Sequence, residues 1–293
     1  MPLTITLDWV SFTLKDKSHE AETWINIYAS PETGVPCKPV QNYTDAYQAS
    51  NGVLVCWHTH RTEMGTHVVI GGSALRNIWE QYGISQRQLL GDIADIGGRV
   101  SRLDLAKDLP DYEFDFNQVY EKATRGDYSG TARTPERHQS GKTGDTIYIG
   151  SRKSDKFFRI YNKAAEQGLQ GQLWTRFELE AKSMVARSLH ALLVQTGNWS
   201  GAFDKIVRDM FSPKECPSYD AFFEKGVVPI GLPALEKTSD REKWISSQVM
   251  PAVAKHYTEH PDSKAVQTLI DVLLLIGKDR SATEKLHPDN DGV

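Results

Sequence analysis

Three short stretches of this chain alternate ionisable and apolar residues with the period of a β-strand, in which successive side chains point to opposite faces. Across 102–108, one face carries Arg102, Asp104 and Asp108, and the other carries Leu103 and Leu105. Across 158–163, one face carries Arg159, Tyr161 and Lys163. Across 176–180, Arg176, Glu178 and Glu180 oppose Phe177 and Leu179. If the three strands share a sheet, they form one charged surface with a tyrosine in it and an apolar underside that needs a cover. The plainer reading is the solvated side of a half-buried sheet laced with cross-strand ion pairs. Against it stands the grouping: carboxylates on two strands, and on the third a tyrosine between two bases. Carboxylate oxygens suit a hard cation such as Mg²⁺ or Mn²⁺. A phenolate beside Arg and Lys gains from their charge. Together these are the parts needed for attack of a tyrosine on a phosphodiester.

The remainder of the 293 residues provides the setting. Strands are expected over 5–14, 53–60, 66–70, 100–108, 146–150, 157–162 and 173–181, the second and third forming a hairpin. Helices are expected over 74–82, from a Ser85 cap to about Gly97, and over 117–125, 183–196, 244–256 and 263–276. Residues 126–144, rich in Gly, Ser, Thr and charge, read as a mobile loop, and the tail from Lys278 as frayed. No sequence repeat is evident. Strands come first and helices last, which predicts an α+β fold: a mostly antiparallel sheet, flanking helices and a helical C-terminal region.

Composition excludes several classes. Three widely spaced cysteines rule out a disulfide scaffold and fit a reducing, cytoplasmic setting. No apolar run approaches the ~18–20 residues of a membrane helix, so no membrane partner is expected. The net charge of −4 hides an asymmetry: residues 133–187 hold eleven Lys and Arg against six Asp and Glu. That local basic segment is a better clue to a DNA partner than the total. Gly150-Ser151-Arg152-Lys153 lacks the glycine spacing of a phosphate-binding Walker loop. His58 and His60 have the one-residue spacing of paired metal ligands, with His67 on the partner strand, but a polar strand end beside a turn explains them as well.

The run Tyr148-Ile149-Gly150-Ser151-Arg152-Lys153-Ser154-Asp155-Lys156-Phe157-Phe158-Arg159-Ile160-Tyr161-Asn162-Lys163 resembles the core motif of rolling-circle replication initiators of the trans-acting plasmid type. These are related to phage initiators and to the relaxases of conjugative elements. Leu7–Phe12, Glu63–His67 leading to Gly72-Ser73-Ala74, Arg102–Asp108 and Arg176–Glu180 follow the same order, so the likeness spans residues 5–195. It implies a DNA endonuclease and strand transferase that nicks and rejoins one strand at an origin. Tyr161 would be the nucleophile, leaving a 5′-phosphotyrosine. Arg159 and Arg152 would hold the scissile phosphate, and Lys163 would lower the tyrosine pKa or bind phosphate. Mg²⁺ or Mn²⁺ would be held among Asp104, Glu178, Glu180 and Asp108, and which of them orient bases instead is open. Lys153, Lys156, Arg176, Arg102 and Lys142 would contact DNA, as a single-stranded or hairpin origin. The implied layout is a catalytic domain over 1–195, a helical region over 196–280 and a flexible tail over 281–293. A host helicase and a homodimer are the partners the resemblance allows. A relaxase with the same chemistry, a nuclease using water and a non-catalytic DNA-binding regulator are the rival readings.

Overall fold

The alternating segments do become strands, and they pair into one sheet. The computed structural model describes residues 4–15, 18–133, 135–141, 144–169, 171–224, 226–233, 250–260, 263–264 and 268. The ten-stranded sheet has the order β2-β3-β4-β5-β1-β6-β11-β10-β9-β8, with every pairing antiparallel. Its members are β1 (Ile5–Leu14), β2 (Val35–Pro36), β3 (Asp45–Gln48), β4 (Leu54–Trp57), β5 (Thr66–Gly71), β6 (Arg99–Pro110), β8 (Glu136–Ser140), β9 (Gly144–Gly150), β10 (Lys156–Asn162) and β11 (Trp174–Lys182). The short β7 (Tyr128–Ser129) pairs with β12 (Ser212–Pro213).

The sheet consists of two halves of like topology. In each, a long central strand (β1 or β6) leads to a helix, α1 (His19–Tyr28) or α4 (Phe116–Thr124). A meander of four strands then returns so that the last one, β5 or β11, pairs with the first. At its end a helix starts at the very next residue: α2 (Gly72–Tyr82) after β5, and α6 (Ser183–Thr196) after β11. The central strands β1 and β6 join the halves.

The apolar faces explain the layering. Leu103, Leu105, Ile147, Ile149, Phe158, Ile160, Phe177 and Leu179 are all fully buried on one side of the sheet, as are Val10 and Phe12 of β1. Helix α6 covers β6 and β11 with Leu189 and Leu193, while α3 (Gln86–Asp95) packs on α6. Ser85 caps α3 as expected, its hydroxyl accepting from the Gln88 N–H at 3.1 Å. Lys107 breaks the alternation rule. It points to the apolar side, fully buried, and pairs with Asp204 of α7 (Trp199–Met210) at 3.1 Å.

The unit around the sheet spans residues 1–235, further than the boundary at 195 read from the sequence. Helix α7 is tied to β6 by that buried pair. Beyond it, Phe211, Tyr219 on α8 (Pro217–Asp220) and Phe222 are fully buried, and Phe222 stacks on Phe177. The second unit spans 236–293, and its described part is chiefly α9 (Met250–Glu259). That covers the latter part of the helix expected over 244–256. The helix expected over 263–276 and the tail lie largely or wholly outside the described residues, as does Lys142.

Two expectations are corrected. Residues 126–144 are not one loop, because β7 and β8 lie within them. β8 is an outer strand whose residues are nearly all exposed, so it carries no apolar period to read. Lys163 does not prolong β10 but opens α5 (Lys163–Glu166), because the Asn162 side chain accepts from the Ala165 N–H at 2.8 Å and caps a helix there.

Candidate active site

The three polar faces meet on adjacent strands, β6-β11-β10. Register places Glu180 opposite Asp104, Arg176 opposite Asp108, Arg159 opposite Glu178 and Tyr161 opposite Arg176. Residues directly opposite in an antiparallel pair share a face. The expected surface therefore exists, on the side away from the α6 layer.

Its charges are organised as ion pairs. Arg102 bonds Asp104 at 2.5 Å and Glu180 at 2.8 Å, and lies over the Trp9 ring at 4.7 Å. Lys182 pairs with the other oxygen of Glu180. Arg159 pairs with Glu178 Oε1, and the Tyr161 hydroxyl donates to Glu178 Oε2 at 3.0 Å. Arg176 forks onto Asp108 at 2.7 and 2.8 Å and reaches Asp8 at 3.1 Å, while the Trp174 indole N–H donates to Asp108 at 2.8 Å. Trp174 lies two residues before Arg176, so the period-2 rule could have placed it on this face. Asp8 and Trp9 come from the neighbouring β1 and could not be placed without the register.

The acidic set divides in two. Asp104, Glu178 and Glu180 are all buried, at 1%, 3% and 9% exposure. Asp108 lies four residues along β6 from Asp104, about 14 Å at ~3.4 Å per residue, so these two cannot share one cation. Burial pushes the Asp104 carboxyl up to about 7; the Arg102 guanidinium opposes this, and the charges of Glu178 and Glu180 add to it. As the ion pairs stand, no three His, Cys, Asp or Glu side chains among the described residues form a metal-holding group. The donor set nevertheless fits a hard divalent cation. It is all carboxylate, and it places three buried acids on two adjacent strands. A cation there would take over the charge balance that Arg102 and Lys182 now provide.

Tyr161 is 6% exposed. Burial and the Glu178 carboxylate raise its phenol pKa, against the pull of Arg176 and Arg159. The lowering expected from flanking bases is thus outweighed. Arg159 lies over its ring at 5.1 Å and Lys163 at 5.7 Å, and the Lys163 ammonium is held by Glu166 at 2.5 Å.

The other expected DNA-contacting residues are not gathered here. Arg152 and Lys153 lie on the exposed β9–β10 turn, where Arg152 covers the Tyr148 and Phe157 rings. Lys156 alternates onto the face opposite Tyr161 and lines a separate cavity with Thr131, Arg133 and Met210. His58 and His60 lie beyond the end of β4, and His58 Nδ1 accepts the N–H groups of His60 and Arg61. His67 is buried in β5, bonded to Thr13 at 3.0 Å and stacked on Tyr43.

The profile of the replication initiation factor family matches residues 98–270, from β6 onward and more than half of the chain. Among solved structures, the rolling circle replication initiator protein from Geobacillus stearothermophilus is similar in fold, with a TM-score of 0.58. It is 19% identical, and the match covers 78% of this chain and 93% of that one. No curated protein sequence matches. The chain belongs to the replication initiation factor family, the rolling-circle initiators. Initiators of this kind nick and join DNA in general, so DNA is a partner of the chain. Among the described residues no helix is long and apolar enough to cross a membrane.

Proposed function

We propose that the face formed by β6, β11 and β10 is the nicking and joining centre, with Tyr161 as nucleophile. The observation that carries this reading is the hydrogen bond from the Tyr161 hydroxyl to Glu178, with Arg159 opposite Glu178 and Arg176 opposite Tyr161. A phenol whose pKa is raised does not ionise on its own near neutral pH, so its proton must pass to a bonded base as it attacks. Glu178 Oε2 is that acceptor. The phenolic oxygen forms a bond to phosphorus, the bond from phosphorus to the 3′-oxygen breaks, and that oxygen takes a proton. The products are a 5′-phosphotyrosine and a free 3′-hydroxyl, and the reverse reaction joins the strand.

Arg159 and Lys163 cover the Tyr161 ring and are held by Glu178 and Glu166. A phosphate arriving at the ring competes for both bases, so binding itself uncovers the nucleophile and supplies charge at the phosphoryl oxygens. Arg176, clamped by Asp108 and Asp8, is a positioning base beside them. Asp104, Glu178 and Glu180 would hold a divalent cation, which when bound polarises the scissile phosphate. Asp108 acts through Arg176.

The test is Tyr161→Phe, assayed for cleavage and for binding of single-stranded DNA with Mn²⁺ present. Lost cleavage with binding unchanged is expected. Unchanged cleavage would remove Tyr161 from the role and leave a nuclease that uses water.

A further inference from the structure

The row that begins at Tyr161 continues across the sheet. Thr146 of β9 is opposite Tyr161, and His138 of β8 is opposite Thr146. The next row runs Arg159, Tyr148, Glu136, and the one after it holds Phe157 and Gly150. All these positions share the Tyr161 face. Those on β8 and β9, with Phe157 of β10, line a cavity of about 480 Å³ together with Ser140, Ser151 and Arg152, beside the Tyr161 position.

Part of the lining is aromatic. Tyr148 and Phe157 lie near-parallel at 5.7 Å, and His138 meets Tyr148 edge-on at 5.1 Å. The Arg152 guanidinium lies over both Tyr148 and Phe157, at 5.2 and 5.0 Å. Gly150, with φ of +87°, puts no side chain over this floor. Neighbouring strands are ~4.8 Å apart and diagonal neighbours across a pair roughly 7–8 Å, so Tyr148 stands a short step from the nucleophile. The rim also carries the Glu136 carboxylate, which disfavours a phosphate inside the cavity. A planar, uncharged group with polar edges suits this set: rings and a guanidinium to stack on, and hydroxyls to meet its edge.

We infer that this cavity is a base-stacking subsite for a nucleotide near the scissile phosphate of a single-stranded DNA, with Tyr148 as its floor and Arg152 as its cover. This deepens the assignment of Tyr161 as nucleophile and rests on it for the direction in which the strand runs. It also gives Arg152, at the centre of the sequence motif, a role in seating the base. Aromatic platforms of this kind bind single strands with little sequence preference.

The experiment compares binding of a ten-nucleotide thymidine strand with binding of an abasic phosphodiester of the same length, without metal. The wild type is expected to prefer the strand with bases. Tyr148→Leu, which keeps apolar bulk, is expected to shrink that preference about 5-fold or more, while Tyr148→Phe keeps it. A preference unchanged in Tyr148→Leu overturns the subsite. Should that variant fail to fold, photo-crosslinking of the wild type to a thymidine strand carrying one 5-iodouracil decides. Adducts on Tyr148, Phe157 or His138 support the subsite, and adducts confined to other segments overturn it. Neither readout needs cleavage, so both can be repeated in Tyr161→Phe, and loss of the nucleophile assignment would leave them interpretable.

Discussion

The buried pair between Lys107 and Asp204 sets a sharp expectation for stability. Both side chains are almost wholly out of water, at 0% and 4% exposure, and the N···O distance is 3.1 Å. The Lys107 ammonium also lies 5.7 Å from the Phe223 ring centroid and 6.0 Å from that of Phe203. An exposed pair would contribute at most about 1 kcal/mol. Here Lys107→Met leaves a carboxylate buried without its partner, a loss of roughly 3–5 kcal/mol. Two features pull toward the lower end: burial already raises the Asp204 pKa, so it can protonate, and Arg208 lies near enough to oppose that rise. A domain of this kind has about 5–15 kcal/mol in total, so the single variant should lower its urea midpoint markedly. The double variant Lys107→Met with Asp204→Leu removes both charges and should recover most of the loss, giving a coupling of about 2 kcal/mol or more in a double-mutant cycle. Lys107→Met should also gain stability as pH falls and Asp204 protonates. If the single variant lost under about 1 kcal/mol, or the double lost the sum of the two singles, the pair would not pin α7 to β6 as described.

Two further outcomes follow from the same face of reasoning. Burial lowers the His67 pKa from 6.5 to about 4, so its contribution is fully present above pH 6.5 and is lost as pH falls toward 4. That is up to about 3 kcal/mol, and urea midpoints at pH 7.5 and 4.5 should converge in His67→Gln relative to wild type. Arg176→Lys loses the fork onto Asp108 and the reach to Asp8. It should cost about 1–2 kcal/mol and reduce nicking, whereas equal activity would deny Arg176 a positioning role.

Period-2 alternation told which residues of β6, β10 and β11 share a face, and the structure keeps that grouping for Asp104, Glu178, Arg159 and Tyr161. Alternation carries no register, so the actual partners, such as Arg102 with Glu180 or Arg176 with Asp8, were not legible. The separation of Asp108 from the acidic trio follows from strand rise alone. The buried place of Lys107 on the apolar face was not legible, because its partner Asp204 lies 97 residues away. Helix α7 carries apolar spacing at Phe203, Ile206, Val207 and Met210, yet it is not among the helices expected. The like topology of the two halves left no trace as a repeat, since β5 and β11 share a place in the meander while one carries His67 and Val69 and the other Glu178 and Glu180.

The central claim is that Tyr161 becomes covalently joined to DNA. The direct measurement is peptide mapping by mass spectrometry after incubating the protein with Mn²⁺ and a randomised pool of single-stranded DNA. A 5′-linked nucleotide on the peptide containing Tyr161, absent with EDTA and in Tyr161→Phe, is the expected result. Cleaved DNA with no adduct, or an adduct on another tyrosine, would contradict the account.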